Sequence, residues 1–140
     1  CPLTVGKLVL SPTRTYAPII REVLKDYRGH VLGMIHCSGG AQTKVLHFID
    51  NLHVIKDNLF ETPLLFQLIQ QESQTPWSEM YSVFNMGHRM ELYVDESVAD
   101  DIIRISRSFD VDAQVIGRVE ASGRAQVTIR KDGAEYRYTK

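Results

Sequence analysis

Val31-Leu32-Gly33-Met34-Ile35-His36-Cys37-Ser38-Gly39-Gly40-Ala41 is the stretch on which the reading of this chain turns. Val31 to Ile35 is a continuous apolar run, which predicts a strand buried on both faces. The strand empties into His36, Cys37, Ser38, Gly39 and Gly40, a loop in which glycines let backbone N–H groups approach a ligand. Upstream, Tyr16, Ile19, Ile20, Val23 and Leu24 recur at helical spacing, with Thr15 as the expected cap, Pro18 in the first turn and Gly29 as the stop. Val5 to Leu10 ahead of them reads as a short β-prone segment.

Downstream, Thr43 to Ile49 predicts a short helix and Leu52 to Ile55 a short strand. Thr62-Pro63 and Thr75-Pro76 are cap-plus-first-turn signals for helices over Leu64–Ile69 and Trp77–Phe84. Arg89 to Val94 alternates as a strand, and Asp95 caps a helix with Val98, Ala99, Ile102 and Ile103 on one face. Ala113, Val115, Gly117 and Val119 mark another strand. Val127 and Ile129, then Asp132-Gly133, then Tyr136 and Tyr138 spell a closing hairpin. Strands and helices intermingle, so the expected class is α/β (α+β), a mixed β-sheet layered with helices, in a single domain over 1–140.

Composition removes several functions. Sixteen basic residues against seventeen acidic ones give a net charge of -1, which supplies no field for a polyanion, so no nucleic acid partner is expected. No apolar run approaches the ~20 residues of a membrane helix, so no membrane association is expected. Two cysteines, Cys1 and Cys37, suit a reducing, cytoplasmic location. The five histidines show no zinc-ligand spacing, so no metal site is expected. Cys37 beside His36 does not make a nucleophile–base pair, because neighbours on a strand point to opposite faces. A chain that opens on Cys1 and not on methionine suggests a piece of a longer protein.

Three segments carry a family resemblance. Leu10-Ser11-Pro12-Thr13-Arg14-Thr15-Tyr16 is similar to a pattern of Leu, variable, Pro, Thr, Arg, Ile, Tyr at a helix start. His36-Cys37-Ser38-Gly39-Gly40-Ala41 is similar to His, apolar, Thr and three Gly after a buried strand. Glu79-Met80-Tyr81 with Phe84-Asn85-Met86-Gly87-His88-Arg89-Met90 is similar to Glu, Met, then Phe, Asn, variable, Gly, variable, Gly, Met. Ile116-Gly117-Arg118-Val119 also looks like the late strand of the same family. Together they resemble the C-terminal domain of phosphoribosylformylglycinamidine cyclo-ligase, or aminoimidazole ribonucleotide synthetase. Ala41 and Arg89 depart from it, each standing where a glycine is usual.

The resemblance implies an ATP-dependent ring closure of formylglycinamidine ribonucleotide, with an N-terminal domain holding most ligands of ATP and Mg2+. It implies a small-molecule nucleotide substrate, the chain's own N-terminal domain as partner, a homodimer when full length, and no turnover by this chain alone. The same superfamily includes selenophosphate synthetase and thiamine-monophosphate kinase, so another ATP-dependent phosphotransferase is the alternative, and a non-catalytic interaction module a third. His36 is the expected catalytic residue, as general base or phosphate donor, against a structural role at the strand end. Thr13, Arg14, Ser38, Gly39, Gly40, Asn85, Gly87 and Arg89 are the expected substrate or phosphate contacts, and Thr13, Ser38, Gly39, Gly40, Asn85 and Gly87 are expected to line one cleft. Their plain alternatives are a helix cap for Thr13, a surface salt bridge for Arg14, a side chain pointing to solvent for Arg89, and tight turns for the rest.

Overall fold

A computed structural model describes residues 4–10 and 14–140. The chain divides into two compact units, residues 1–34 with 92–114, and residues 35–91 with 115–140. Thr13 lies outside the described residues, with Ser11 and Pro12.

In the first unit, α1 (Val5–Val9) stands where a β segment was expected. Thr4 caps it, its Oγ1 accepting from Lys7 N, and no strand pairs with it, so the local cap decides its form over the β-branched valines. The next helix, α2 (Ala17–Tyr27), follows its spacing, with Ile19 and Val23 buried. The cap position falls one residue late, on Tyr16, while Thr15 Oγ1 still accepts from Ala17 N at 3.5 Å. Gly29 does not stop α2 but lies inside a 3-10 turn, Arg28–His30. The helix expected after Asp95 begins as a 3-10 turn, Glu96–Val98, and continues as α5 (Ala99–Ser108), taking its number from chain order. Ile19, Val23, Val98 and Ile102 form the core here, with Tyr16, Tyr27, Val31, Leu92, Val94, Ile105 and Val111 packed around them.

The strand β1 (Val31–His36) pairs with β3 (Met90–Val94) in a two-stranded sheet. Burial on both faces was expected for β1, and the structure corrects it. Leu32 is 74% exposed and Met34 37%, while Ile35 between Met34 and His36 is buried, so the strand's side chains alternate as on a sheet with one covered face.

The second unit is built on a four-stranded mixed sheet in the order β4-β2-β5-β6, where β2 is Leu52–Lys56, β4 Gly117–Ala121, β5 Gln126–Lys131 and β6 Ala134–Thr139. The central strands run parallel, Val54 opposite Val127 and Lys56 opposite Ile129. They are the strands buried on both faces, through Val54, Ile55, Lys56, Val127, Thr128 and Ile129. Each fully buried aliphatic chain among them stabilises by about 1.5–3 kcal/mol. The fourth strand starts at Gly117, later than expected, so Ala113 and Val115 lie outside it. Gly117 must be glycine, since a Cβ there would stand 1.9 Å from the Ile55 carbonyl O. Asp132 and Gly133 turn β5 into β6 with φ of 51° and 79°, as the hairpin signal required.

A 3-10 helix, Ala41–His47, follows the glycine loop, and α3 (Leu64–Ser73) and α4 (Trp77–Val83) follow β2. Pro63 and Pro76 occupy the cap positions themselves, in extended backbone, so each threonine sits one residue further out than expected. Among the described residues no helix is long and apolar enough to cross a membrane.

Candidate functional site

Two loops of the second unit adjoin. The first, His36 to Ala41, leaves the end of β1; the second, Asn85 to Arg89, leads from α4 into β3. Cys37 N donates to the Arg89 carbonyl O at 2.8 Å, and Gln42 Nε2 donates to the Asn85 carbonyl O at 2.7 Å. His36, Ser38, Gly39, Gly40, Asn85, Gly87 and Arg89 are thereby brought into one region. Arg14 belongs to the other unit, where it is exposed and Nη1 donates to the Asp110 carbonyl O at 3.0 Å.

The first loop is open. His36, Ser38 and Gly39 are exposed, and a Cβ on Gly39 would meet nothing within 4 Å. Gly40 has φ 82° and Ala41 φ 42°, so both lie in the left-handed region, and the site of the family's third glycine keeps a glycine-like backbone despite carrying a methyl. That methyl is buried, Ala41 being 1% exposed. Lys44, half-buried one turn further on, reaches back across the loop. Its Nζ donates to the His36 carbonyl O at 3.1 Å and to Ser38 Oγ at 2.8 Å, and it forms no ion pair among the described residues.

The second loop is locked. Asn85 Oδ1 accepts from Gly87 N at 2.9 Å, Met86 has φ 52° and is 2% exposed, and Gly87 has φ 94° with Pro63 behind it. His88 is buried against Phe60, whose N donates to His88 Nε2 at 3.1 Å. Burial lowers the His88 pKa to about 4, helped by Lys56 and Lys131 and opposed by Glu91, so the ring is neutral near pH 7 with its proton on Nδ1. Arg89 has an ordinary negative φ, so its backbone does not need the family's glycine. Its side chain is half-buried and forms no ion pair among the described residues.

Cys37 faces inward while His36 faces out, as strand alternation requires. The thiol is pushed up to about 12, first by burial and then by Glu91, so it is no nucleophile near neutral pH. Among the described residues no group of three or more His, Cys, Asp and Glu could hold a metal ion.

Sequence reasoning missed Lys44, Gln42, Lys56, His88 and Glu91. The signal for Lys44 was its place four residues after Gly40, one helical turn from the loop. Nothing local marked Lys56 and Glu91, which meet from strands 35 residues apart.

Comparison with known proteins agrees with these motifs. The family described as AIR synthase related protein, C-terminal domain, matches residues 3–130. A protein of Methanopyrus kandleri named phosphoribosylformylglycinamidine cyclo-ligase is 37% identical over 132 residues, which are 94% of this chain and 37% of that protein. One of the same name from Methanocaldococcus jannaschii is 37% identical over 83% of this chain and 33% of its own length, and one from Alkaliphilus metalliredigens is 31% identical over 91% and 37%. The chain thus spans about a third of the length of the curated relatives it matches. In fold it is similar to the crystal structure of E. coli HypE, a hydrogenase maturation protein, with a TM-score of 0.60 at 14% identity over 87% of this chain and 38% of that one. With its match running through both loops and into the last hairpin, the chain belongs to the family of AIR synthase related protein C-terminal domains.

Proposed function

We propose that this chain is the C-terminal domain, 1–140, of an ATP-dependent cyclo-ligase that converts formylglycinamidine ribonucleotide to aminoimidazole ribonucleotide, releasing ADP and phosphate. The observation that carries the reading is the pair of adjoining loops with two cations, Lys44 and Arg89, that no carboxylate among the described residues neutralises. The names of the relatives point to the same chemistry.

The formyl oxygen of the substrate is a poor leaving group until it takes the γ-phosphoryl group of ATP. The amidine nitrogen then attacks the formyl carbon, the C–O bond to the phosphorylated oxygen breaks, and phosphate departs. Work of this kind is positioning and charge stabilisation, to which Ser38, Gly39, Gly40 and Lys44 contribute donors at the open loop. Asn85, Gly87 and Arg89 form the facing wall, and Arg89 adds a planar pair of donors for an anionic oxygen. His36, exposed at the strand end, takes the proton from the attacking amidine. Thr13 and Arg14 are further phosphate or ribose contacts. ATP and Mg2+ bind mainly to an N-terminal domain, and the whole enzyme is a cytoplasmic homodimer.

The test is a full-length protein assayed with formylglycinamidine ribonucleotide and ATP, following ADP and aminoimidazole ribonucleotide in equal amounts. Turnover of thiamine monophosphate or selenide instead, with none of the ring closure, would overturn the reading.

A further inference from the structure

A buried polar chain lies beneath the two loops, and none of its members was assigned a step in the reaction. Lys56, at the end of β2, is 1% exposed. Its three donors are all placed, on the Gln42 carbonyl O at 2.8 Å, on Gln42 Oε1 at 3.0 Å and on Glu91 Oε1 at 2.5 Å. An ammonium only donates, so the Gln42 amide must turn its oxygen toward Lys56, and its Nε2 is left facing the other way. There it meets the Asn85 carbonyl O. Gln42 itself is fully buried.

A buried ion pair is costly to desolvate and gives little stability beyond what apolar side chains of the same shape would give. What this pair holds in place accounts for it better. Gln42 starts just behind the open loop, Glu91 lies two residues past Arg89, and the Gln42–Asn85 hydrogen bond between the two segments is the one the pair orients.

We propose that Gln42, oriented by the Lys56–Glu91 pair, is a positioning residue that sets the Asn85–Arg89 turn against the His36–Gly40 loop, so that both present their donors to a phosphorylated substrate in one geometry. This rests on the reading that the two loops bind that substrate. A misplacement of about 1 Å in such a site costs a rate factor on the order of a hundred, so one tether is enough to matter.

The test uses the full-length enzyme carrying Gln42→Glu, which keeps size and an acceptor for Lys56 and, when ionised, offers no donor to Asn85. The expected result is a rise of about tenfold or more in KM for formylglycinamidine ribonucleotide, with KM for ATP unchanged. Hydrogen exchange at the Gly87 and His88 amides, both bonded to Asn85, should quicken while β5 stays protected. Should Gln42→Glu not accumulate as folded protein, Gln42→Met carries the same test. A lowered melting temperature with unchanged KM in the active fraction would overturn the proposal, leaving Gln42 as core filling. Lys44→Gln and Ser38→Ala, made alongside, separate the premise: if neither changes KM while Gln42→Glu quickens exchange, the loops do not bind the substrate and the proposal falls through its premise.

Discussion

Gly39 and Gly87 are the same residue type in adjoining loops of one unit, and their surroundings differ. Gly87 is required by the fold, with φ 94° and a Cβ position 3.0 Å from Pro63 Cγ. Gly39 has no positive φ and nothing within 4 Å of its Cβ position, so the fold alone does not require glycine there. The contrast teaches that one loop is shaped by its own packing and the other is left open, as a surface that meets a ligand should be. The buried chain from Glu91 through Lys56 and Gln42 ties the open loop to the locked one.

The largest effect should come from breaking that tie. Lys56→Met removes the cation that faces the buried Glu91 carboxylate and should cost about 3–5 kcal/mol of stability, read by thermal unfolding. A change near zero would mean that Glu91 finds water, and that the two loops are not joined through a dry interior.

Acid should act next, through His88. Its folded pKa of about 4 lies below the usual 6.5, so the unfolded chain takes up the proton first and stability falls as pH drops from 6.5 toward 4. The full shift corresponds to about 3 kcal/mol. His88→Gln keeps an acceptor for Phe60 N and should flatten the slope between pH 6.5 and 4. An equal slope in both proteins would place the acid sensitivity elsewhere.

Arg89→Gly tests the locked loop as a binding wall. The KM for the nucleotide substrate should rise, at a cost of roughly 1.5–3 kcal/mol for a lost charged hydrogen bond, while the fold is unaffected. Unchanged KM and kcat would make Arg89 a surface residue.

The smallest effects sharpen the comparison itself. Gly87→Ala should destabilise by roughly 1–2 kcal/mol for a side chain forced into the left-handed region. Gly39→Ala should stay within about 0.5 kcal/mol in stability, yet lower kcat/KM for the nucleotide substrate. Equal losses of stability at the two positions would erase the distinction between the loops.

How much of this was legible in the sequence follows from how local each signal is. The hairpin at Asp132-Gly133 and the helices after Pro63 and Pro76 could be read because a few adjoining residues set them. The two loops could be located as the ends of elements flanked by glycine, and the family motifs ran through both. Burial could not be read the same way. The apolar β1 is half-exposed and the lysine-bearing end of β2 is dry, because what packs on a strand's faces decides what is covered, and that packing is a long-range property. Lys56 with Glu91 failed for the same reason, and Lys44 because its reach over Ser38 depends on where a 3-10 helix begins.

The saturation of Lys56 has a chemical consequence. An amine with every donor engaged and almost no solvent contact has no lone pair to offer an acylating reagent, whereas Lys44 sits partly in solvent. Lys56 can be acylated only in molecules whose loops have come apart, so its rate of labelling counts those openings. The native protein thus carries its own reporter, one amine silent while the two loops are joined and reactive when they part.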